Sequence, residues 1–317
     1  MADIIALGEL LIDLTQTDVT PQGVRRLAAF PGGAPANVAV AAARLGASAA
    51  FIGKVGADSF GADLRKVLEE NGVDVSGLYE TREAATTLAI VTVRDGERSF
   101  SFYRSPGADT LLTREEVLAA AGDGKKPVFL HLGSLSLTAE PVRGATFAAL
   151  EYARANGVFI SYDPNYRAAL WPDQDTAVRW MKEPLRYADM LKVSDEELPL
   201  LTGQTDPAAG AQKLAAFGPR LVMVTLGGDG VYYRFGEYDG LIPGYKVKVA
   251  DTNGAGDTFL GAMLGCLAGR PSGPFAGLGR DELESYLDFA NRAAALTCTR
   301  SGAIPAMPTK EEVENGI

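Results

Sequence analysis

Asp251-Thr252-Asn253-Gly254-Ala255-Gly256-Asp257 stands between an alternating, β-branched run, Tyr245-Lys246-Val247-Lys248-Val249, and a proline-free apolar stretch, residues 258–267. The pattern predicts a strand over 245–249, a tight turn, and a helix starting in the glycines. A Gly-Ala-Gly turn at a helix start aims successive backbone N–H groups one way, and the helix dipole adds partial positive charge there. An anion is expected at this spot. Yet the same first turn carries a carboxylate, Asp257. Donors beside a carboxylate suit a reaction that builds negative charge while a proton leaves, such as phosphoryl transfer to a hydroxyl. Asp near a helix N-terminus is also favoured as a plain cap, so the rest of the chain has to decide.

Outward from this turn, two textures alternate. Apolar strand-like runs at 128–132, 158–162, 190–193 and 221–226 are separated by helical segments at 140–155, 176–187 and 207–217. The same order appears earlier: strand 4–7, helix 35–45, strand 49–55, helix 59–70. Continuous apolar strands between helices predict a parallel sheet covered on both faces. Pro35 suits a first helical turn, Gly46 a helix end, Ser59 an N-cap and Asn71-Gly72 a stop.

The second texture lacks intervening helices. Residues 11–14 with 24–30, and 86–94 with 98–104, read as strands, the latter two flanking Asp95-Gly96, a type I′ hairpin signal. These two separate segments predict a small antiparallel sheet, one face of which has no helix cover and meets solvent, substrate or a partner subunit. The expected organisation is a body of residues 1–10, 32–84 and 106–317, with a β-sheet lid of 11–31 and 85–105. A last long helix is expected over 280–299, after the Gly/Pro-rich loop 271–279.

At 317 residues the chain can bury a substantial core, and its 47% apolar and 22% charged residues are those of an ordinary globular protein. No apolar run is long enough for a membrane span, and Met1-Ala2-Asp3-Ile4 lacks the basic start of a secretory signal. Cys266 and Cys298, both in apolar helical runs, read as reduced thiols, and a cytoplasmic location is expected. The net charge of −10, without a basic block, argues against nucleic acid. His131 is the one histidine and lies in an apolar strand, which leaves no histidine metal site and no Ser–His triad.

The familiar phosphate signatures are absent. Gly53-Lys54 lacks the earlier glycine and following hydroxyl of a P-loop, no Gly-x-Gly-x-x-Gly follows a strand, and the protein-kinase motifs are missing. A phosphate site must therefore be built on residues 254–256. Three other places gain interest. Gly32-Gly33-Ala34-Pro35-Ala36-Asn37 lies where lid rejoins body, its glycines permitting close backbone approach and Asn37 offering a donor and an acceptor. Asp13 is a carboxylate where body becomes lid. Asp163-Pro164-Asn165-Tyr166-Arg167 follows a strand directly, at the sheet edge where open α/β sheets bind ligands.

With these residues assembled, the chain closely resembles the ribokinase-like (PfkB) carbohydrate kinases, and within them the fructokinases. Two signatures carry the resemblance: Gly32-Gly33-Ala34-Pro35-Ala36-Asn37-Val38-Ala39 and Asp251-Thr252-Asn253-Gly254-Ala255-Gly256-Asp257-Thr258-Phe259. The fructokinase character lies in Phe102-Tyr103-Arg104-Ser105-Pro106-Gly107-Ala108-Asp109, Gly133-Ser134-Leu135-Ser136-Leu137 and Ser161-Tyr162-Asp163-Pro164-Asn165-Tyr166-Arg167. The likeness runs from Gly8-Glu9 to Gly302-Ala303-Ile304-Pro305. It implies a three-layer αβα sandwich with a mainly parallel central sheet and a small β-sheet lid, and ATP-dependent phosphorylation of D-fructose to fructose 6-phosphate.

It implies roles as well. Asp257 is the expected general base, with Gly254, Ala255 and Gly256 as the anion hole. Asp13, Gly32, Gly33, Asn37, Arg104, Asn165 and Arg167 are the expected sugar contacts. Lys192, Thr225, Gly227, Gly230 and Asn291 are expected along the nucleotide. Glu197 is expected to hold Mg²⁺ through water, and Asp251 to stand beside a monovalent cation such as K⁺. Two departures from the family pattern are Ser194 where Asn is usual and Asn253 where Thr is common. The rival readings are a 2-keto-3-deoxygluconate kinase, whose carboxylated acceptor would rely on Arg104 and Arg167, and a silent sugar- or nucleotide-binding subunit. The expected partners are sugar and ATP, with a homodimer through the lid.

Overall fold

Successive residues of the inner strands point to opposite cores. Along Leu221–Thr225, Leu221 and Met223 join one buried cluster while Val222 and Val224 join the other. A strand buried on both faces reads as an uninterrupted apolar run, which is why these segments carry no polar alternation. The computed structural model describes residues 2–94, 97–122 and 126–316.

The strands are β1 (Ile4–Leu7), β2 (Leu11–Val19), β3 (Arg25–Gly32), β4 (Ala49–Gly56), β5 (Val73–Thr81), β6 (Leu88–Arg94), β7 (Glu97–Tyr103), β8 (Phe129–Gly133), β9 (Phe159–Asp163), β10 (Met190–Ser194), β11 (Leu221–Thr225), β12 (Val231–Phe235) and β13 (Tyr238–Ile242). The helices are α1 (Ala34–Arg44), α2 (Ser59–Glu70), α3 (Arg114–Gly122), α4 (Val142–Ala155), α5 (Gln174–Lys182), α6 (Glu197–Thr202), α7 (Pro207–Ala215), α8 (Ala255–Ala268), α9 (Arg280–Cys298) and α10 (Lys310–Glu314).

A nine-stranded sheet runs β13-β12-β11-β10-β9-β8-β1-β4-β5, parallel from β11 to β5 and closed on its other edge by the antiparallel pair β12–β13. Helices α1, α2, α8 and α9 contribute to the core on one face, and α4 to α7 to the core on the other. This is the expected three-layer sandwich. A four-stranded sheet, β3-β2-β6-β7, is built from two separate chain segments, as expected. Its two antiparallel hairpins join through the parallel pair β2–β6. The hairpin turn expected at Asp95-Gly96 lies outside the described residues.

Two local expectations are corrected. Residues 245–249 form no strand: β13 ends at Ile242, Pro243, lacking an N–H, follows it directly, and the segment beyond pairs with neither sheet. Tyr245 instead reaches α9, its hydroxyl donating to Asp288 at 2.8 Å. The cap of α2 is Asp58 rather than Ser59: its carboxylate accepts from the Gly61 N–H, which the Ser59 side chain, already inside the helix, does not. Among the described residues, no helix is long and apolar enough to cross a membrane.

Candidate active site

The turn before α8 is pinned from below. Asp251 accepts the Asn253 N–H at 3.0 Å through one oxygen and the Gly302 N–H at 3.1 Å through the other. Gly254 then turns left-handed, with φ 77°, and a Cβ there would stand 2.9 Å from the Ala303 Cβ. Glycine satisfies both demands at once. The chain enters α8 with first-turn amides that have no acceptor inside the helix.

Lys192, near the end of β10, reinforces this charge. A Cβ on Gly256 would lie 3.1 Å from the Lys192 Nζ, so the ammonium sits directly against the turn. Nζ also donates to Asp163 at the end of β9, across 2.9 Å. Burial alone would lower the Lys192 pKa, but Asp163, Glu197 and Asp257 together raise it above its ordinary value. The group stays cationic.

Asp257 is 8% exposed. One oxygen accepts from Asn37 Nδ2 at 2.8 Å and the other from Asn165 Nδ2 at 3.5 Å. Asn165 takes φ 47°, a left-handed conformation that Asn tolerates better than most side chains, and this turns its amide toward Asp257. Burial raises the Asp257 carboxyl to about 6, against the Asn37 hydrogen bond and the charges of Lys192 and Arg167. A carboxylate of that strength is mostly ionised at neutral pH yet basic enough to take up a proton.

Asp257, Asn37, Asn165, Asp13, Gly33 and Arg167 line one pocket, with room of about 60 Å³ for water-sized groups. Asp13 is raised to about 6 by burial, with an Asn253 hydrogen bond and Arg167 opposing. Gly32 lies behind it, where a Cβ would collide with the Asp13 carboxylate. A Cβ on Gly33, at φ 110°, would collide with the Glu9 carbonyl oxygen. The glycine pair therefore serves close packing as much as ligand approach.

Arg104 is not brought to this pocket. Its guanidinium ion-pairs with Asp109 at 2.6 Å, donates to Thr138 Oγ1 at 2.6 Å and to the Leu135 carbonyl at 3.0 Å, and is buried there. Nearly all of its donors are committed, which makes it a clamp between the end of β7 and the body. The residue expected as a sugar contact thus already holds protein partners.

The residues expected along the nucleotide are not among those lining the pocket. Thr225 ends β11 opposite Ser194, and space is open beyond Gly227 and Gly228. Gly230, at φ 105°, packs against the 242–244 backbone. Asn291 is buried and donates to the Ile242 and Pro243 carbonyls at 3.2 and 3.1 Å, holding that loop. Glu197 accepts the Tyr166 N–H at 2.7 Å and the Ser194 N–H at 2.8 Å. Among the described residues no cluster of three His, Cys, Asp or Glu could cage a metal. That donor set fits a metal delivered on a polyphosphate and touched through water, the usual habit of Mg²⁺.

Sequence reasoning passed over Glu9, Leu11, Phe102 and Leu135 in the pocket wall, and the Asp163 partner of Lys192. Glu9 and Asp163 lie at or just beyond the C-terminal ends of β1 and β9. The sheet-edge rule that singled out Asn165 would have found both.

Residues 1–310 match the pfkB family carbohydrate kinase. The chain is 44% identical over 316 residues to fructokinase-1 of Oryza sativa subsp. japonica, covering 98% of this chain and 96% of that protein. Among solved structures it is similar to the ATP-bound fructokinase of Xylella fastidiosa, with TM-score 0.90, 36% identity and coverage of 99% and 98%. It is also similar to a double-mutant fructokinase of Vibrio cholerae O395 in fructose, ADP and potassium ion bound form, with TM-score 0.89, 32% identity and coverage of 99% and 97%.

Proposed function

The chain belongs to the pfkB family of carbohydrate kinases, and from that premise we propose that it phosphorylates D-fructose to fructose 6-phosphate at the expense of ATP. The observation that carries the reading is Asp257, a buried carboxylate held by two asparagines in the first turn of α8, one residue after the Gly254-Ala255-Gly256 cradle. Base and anion hole thus share one turn.

In the proposed reaction the acceptor hydroxyl oxygen bonds to the γ-phosphorus as the bond to the β,γ-bridging oxygen breaks, and ADP leaves. The hydroxyl proton passes to Asp257. In a loose transition state it leaves late, so a carboxylate of pKa about 6 is sufficient. Residues 254–256 and Lys192 face the equatorial oxygens and hold the phosphoryl group in line. Asp13, Gly33, Asn37, Asn165 and Arg167 orient the sugar. Mg²⁺ delivered on the nucleotide would supply charge neutralisation, and Glu197 and the Ser194 hydroxyl are the residues that would hold it through water. A K⁺ ion beside Asp251 would steady the same turn.

Charge favours a neutral acceptor over 2-keto-3-deoxygluconate. The pocket wall carries Glu9, Asp13 and Asp257 against Arg167, while Arg104 is neutralised by Asp109. A silent binding subunit would have no need of the intact turn. Coupled ADP release measured with fructose, ribose, glucose and 2-keto-3-deoxygluconate tests all three readings. Absence of Asp257-dependent turnover with every sugar would sink the kinase; equal turnover with ribose would sink fructose alone.

We also propose that residues 11–31 and 85–105 close as a lid over the body of 1–10, 32–84 and 106–317, excluding water from the transfer. The exposed Val19, Leu27 and Tyr103 of the four-stranded sheet, with Val24 just before β3, support a homodimer through that sheet, which sedimentation at micromolar concentration tests. The free thiols of Cys266 and Cys298 are in keeping with a cytoplasmic location.

A further inference from the structure

Resting on that reading, we infer that Glu9 is a further substrate-contact residue, whose free carboxyl oxygen holds a hydroxyl of the acceptor sugar in a different part of the pocket from Asp257. Glu9 is the second residue beyond β1 and is 2% exposed. Its Oε1 accepts the Ala34 N–H at 3.0 Å, at the start of α1. Its Oε2 is buried without a hydrogen-bond partner among the described residues, and Glu9 is one of the residues that line the pocket.

Capping explains one oxygen only. A neutral Gln of the same length would satisfy that N–H as well, without taking a carboxyl out of water. A buried acceptor left unpaired is costly, and such groups persist where a ligand completes them. The other orphaned side-chain acceptor of the same pocket is Asn37 Oδ1. Two buried acceptors with open valence, both on residues that line one cavity, call for a ligand with several O–H donors, which describes a neutral sugar. Burial also raises the Glu9 carboxyl to about 7, so a fraction near neutral pH can donate as well as accept. Its charged neighbours are Arg104 and Asp109, whereas those of Asp257 are Asp163, Lys192 and Arg167, which places the two carboxyls in different surroundings.

The test replaces the free oxygen while keeping the cap. Glu9→Gln retains an acceptor for the Ala34 N–H and presents an amide to the cavity. We expect the fructose KM, and the fructose Kd by calorimetry, to rise at least tenfold, with the ATP KM within twofold of wild type. Across deoxyfructoses lacking one hydroxyl each, one analogue should lose tenfold or more on the wild type and nothing further on Glu9→Gln. Glu9→Asp, which withdraws the oxygen by one methylene, should show the same loss. If both variants bind fructose as the wild type does and only melt earlier, Glu9 is a helix cap and the inference falls while the kinase stands. If the wild type neither binds nor phosphorylates any sugar, both fall.

Discussion

Asn37 Nδ2 donates to Asp257 Oδ2 across 2.8 Å, joining the first turn of α1 to the first turn of α8 over 220 residues of chain. The two helices approach closely because the contact is made by small residues. A Cβ on Gly261 would lie 2.6 Å from the Ala41 Cβ and 2.8 Å from the Val38 carbonyl oxygen. The proposed base is thereby held against the proposed sugar site by helix packing.

The first prediction concerns pH. With Asp257 raised to about 6, kcat/KM should fall as pH drops through 6, because protonation removes the base. A hydrogen bond to a charged group is worth about 1.5–3 kcal/mol, or roughly 1–2 pH units. Asn37→Ala removes a donor that favours the ionised form, so the acid limb should move upward by about that much. A pH–rate profile unchanged in the variant would separate Asn37 from the base.

The helix pair itself can be tested. Gly261→Ala forces a methyl into backbone and Ala41, and overpacking of this kind costs about 1–3 kcal/mol. Urea unfolding should show that loss, and kcat should fall although residue 261 touches no ligand. A variant as stable and as active as the wild type would mean that the two helices separate freely.

How far the sequence carried follows from the range of each interaction. Pro35, the Gly254 turn and the apolar strands announce themselves through local preferences: a missing N–H, a positive φ, burial on two faces. Residues 245–249 misled because β propensity is also local, whereas a strand needs a partner, and this segment pairs with neither sheet. Arg104 shows a related limit of local reading. Its motif identifies the residue but not its occupant, and Asp109, five residues on, already fills it. The sheet-edge rule reaches the position of Glu9 but not its significance, an unmet valence that exists only once Ala34 has taken the other oxygen.

Lys192 and Asp163 form a buried pair under the anion cradle. Lys192→Met leaves Asp163 uncompensated, and breaking such a pair costs about 3–5 kcal/mol. Adding Asp163→Asn should recover much of that stability, since the remaining group is then neutral. It should not recover the ATP KM, because the positive charge beside Gly256 is still missing. Recovery of stability and ATP binding together would make Lys192 purely structural.

Arg104 provides the sharpest separation of the two sugar readings. If it binds a carboxylated acceptor, Arg104→Gln should selectively depress turnover of 2-keto-3-deoxygluconate. If it is the clamp described above, the variant leaves Asp109 buried without its cation and frees the end of β7 from Thr138 and Leu135. Unfolding free energy should then drop by about 3–5 kcal/mol, with all sugars affected in the same proportion. Adding Asp109→Asn should restore stability, because the neutral amide no longer needs a charge partner. The ratio of kcat/KM for fructose to that for the sugar acid decides the matter: a constant ratio fits a clamp, and a ratio that rises in Arg104→Gln assigns the guanidinium to the substrate.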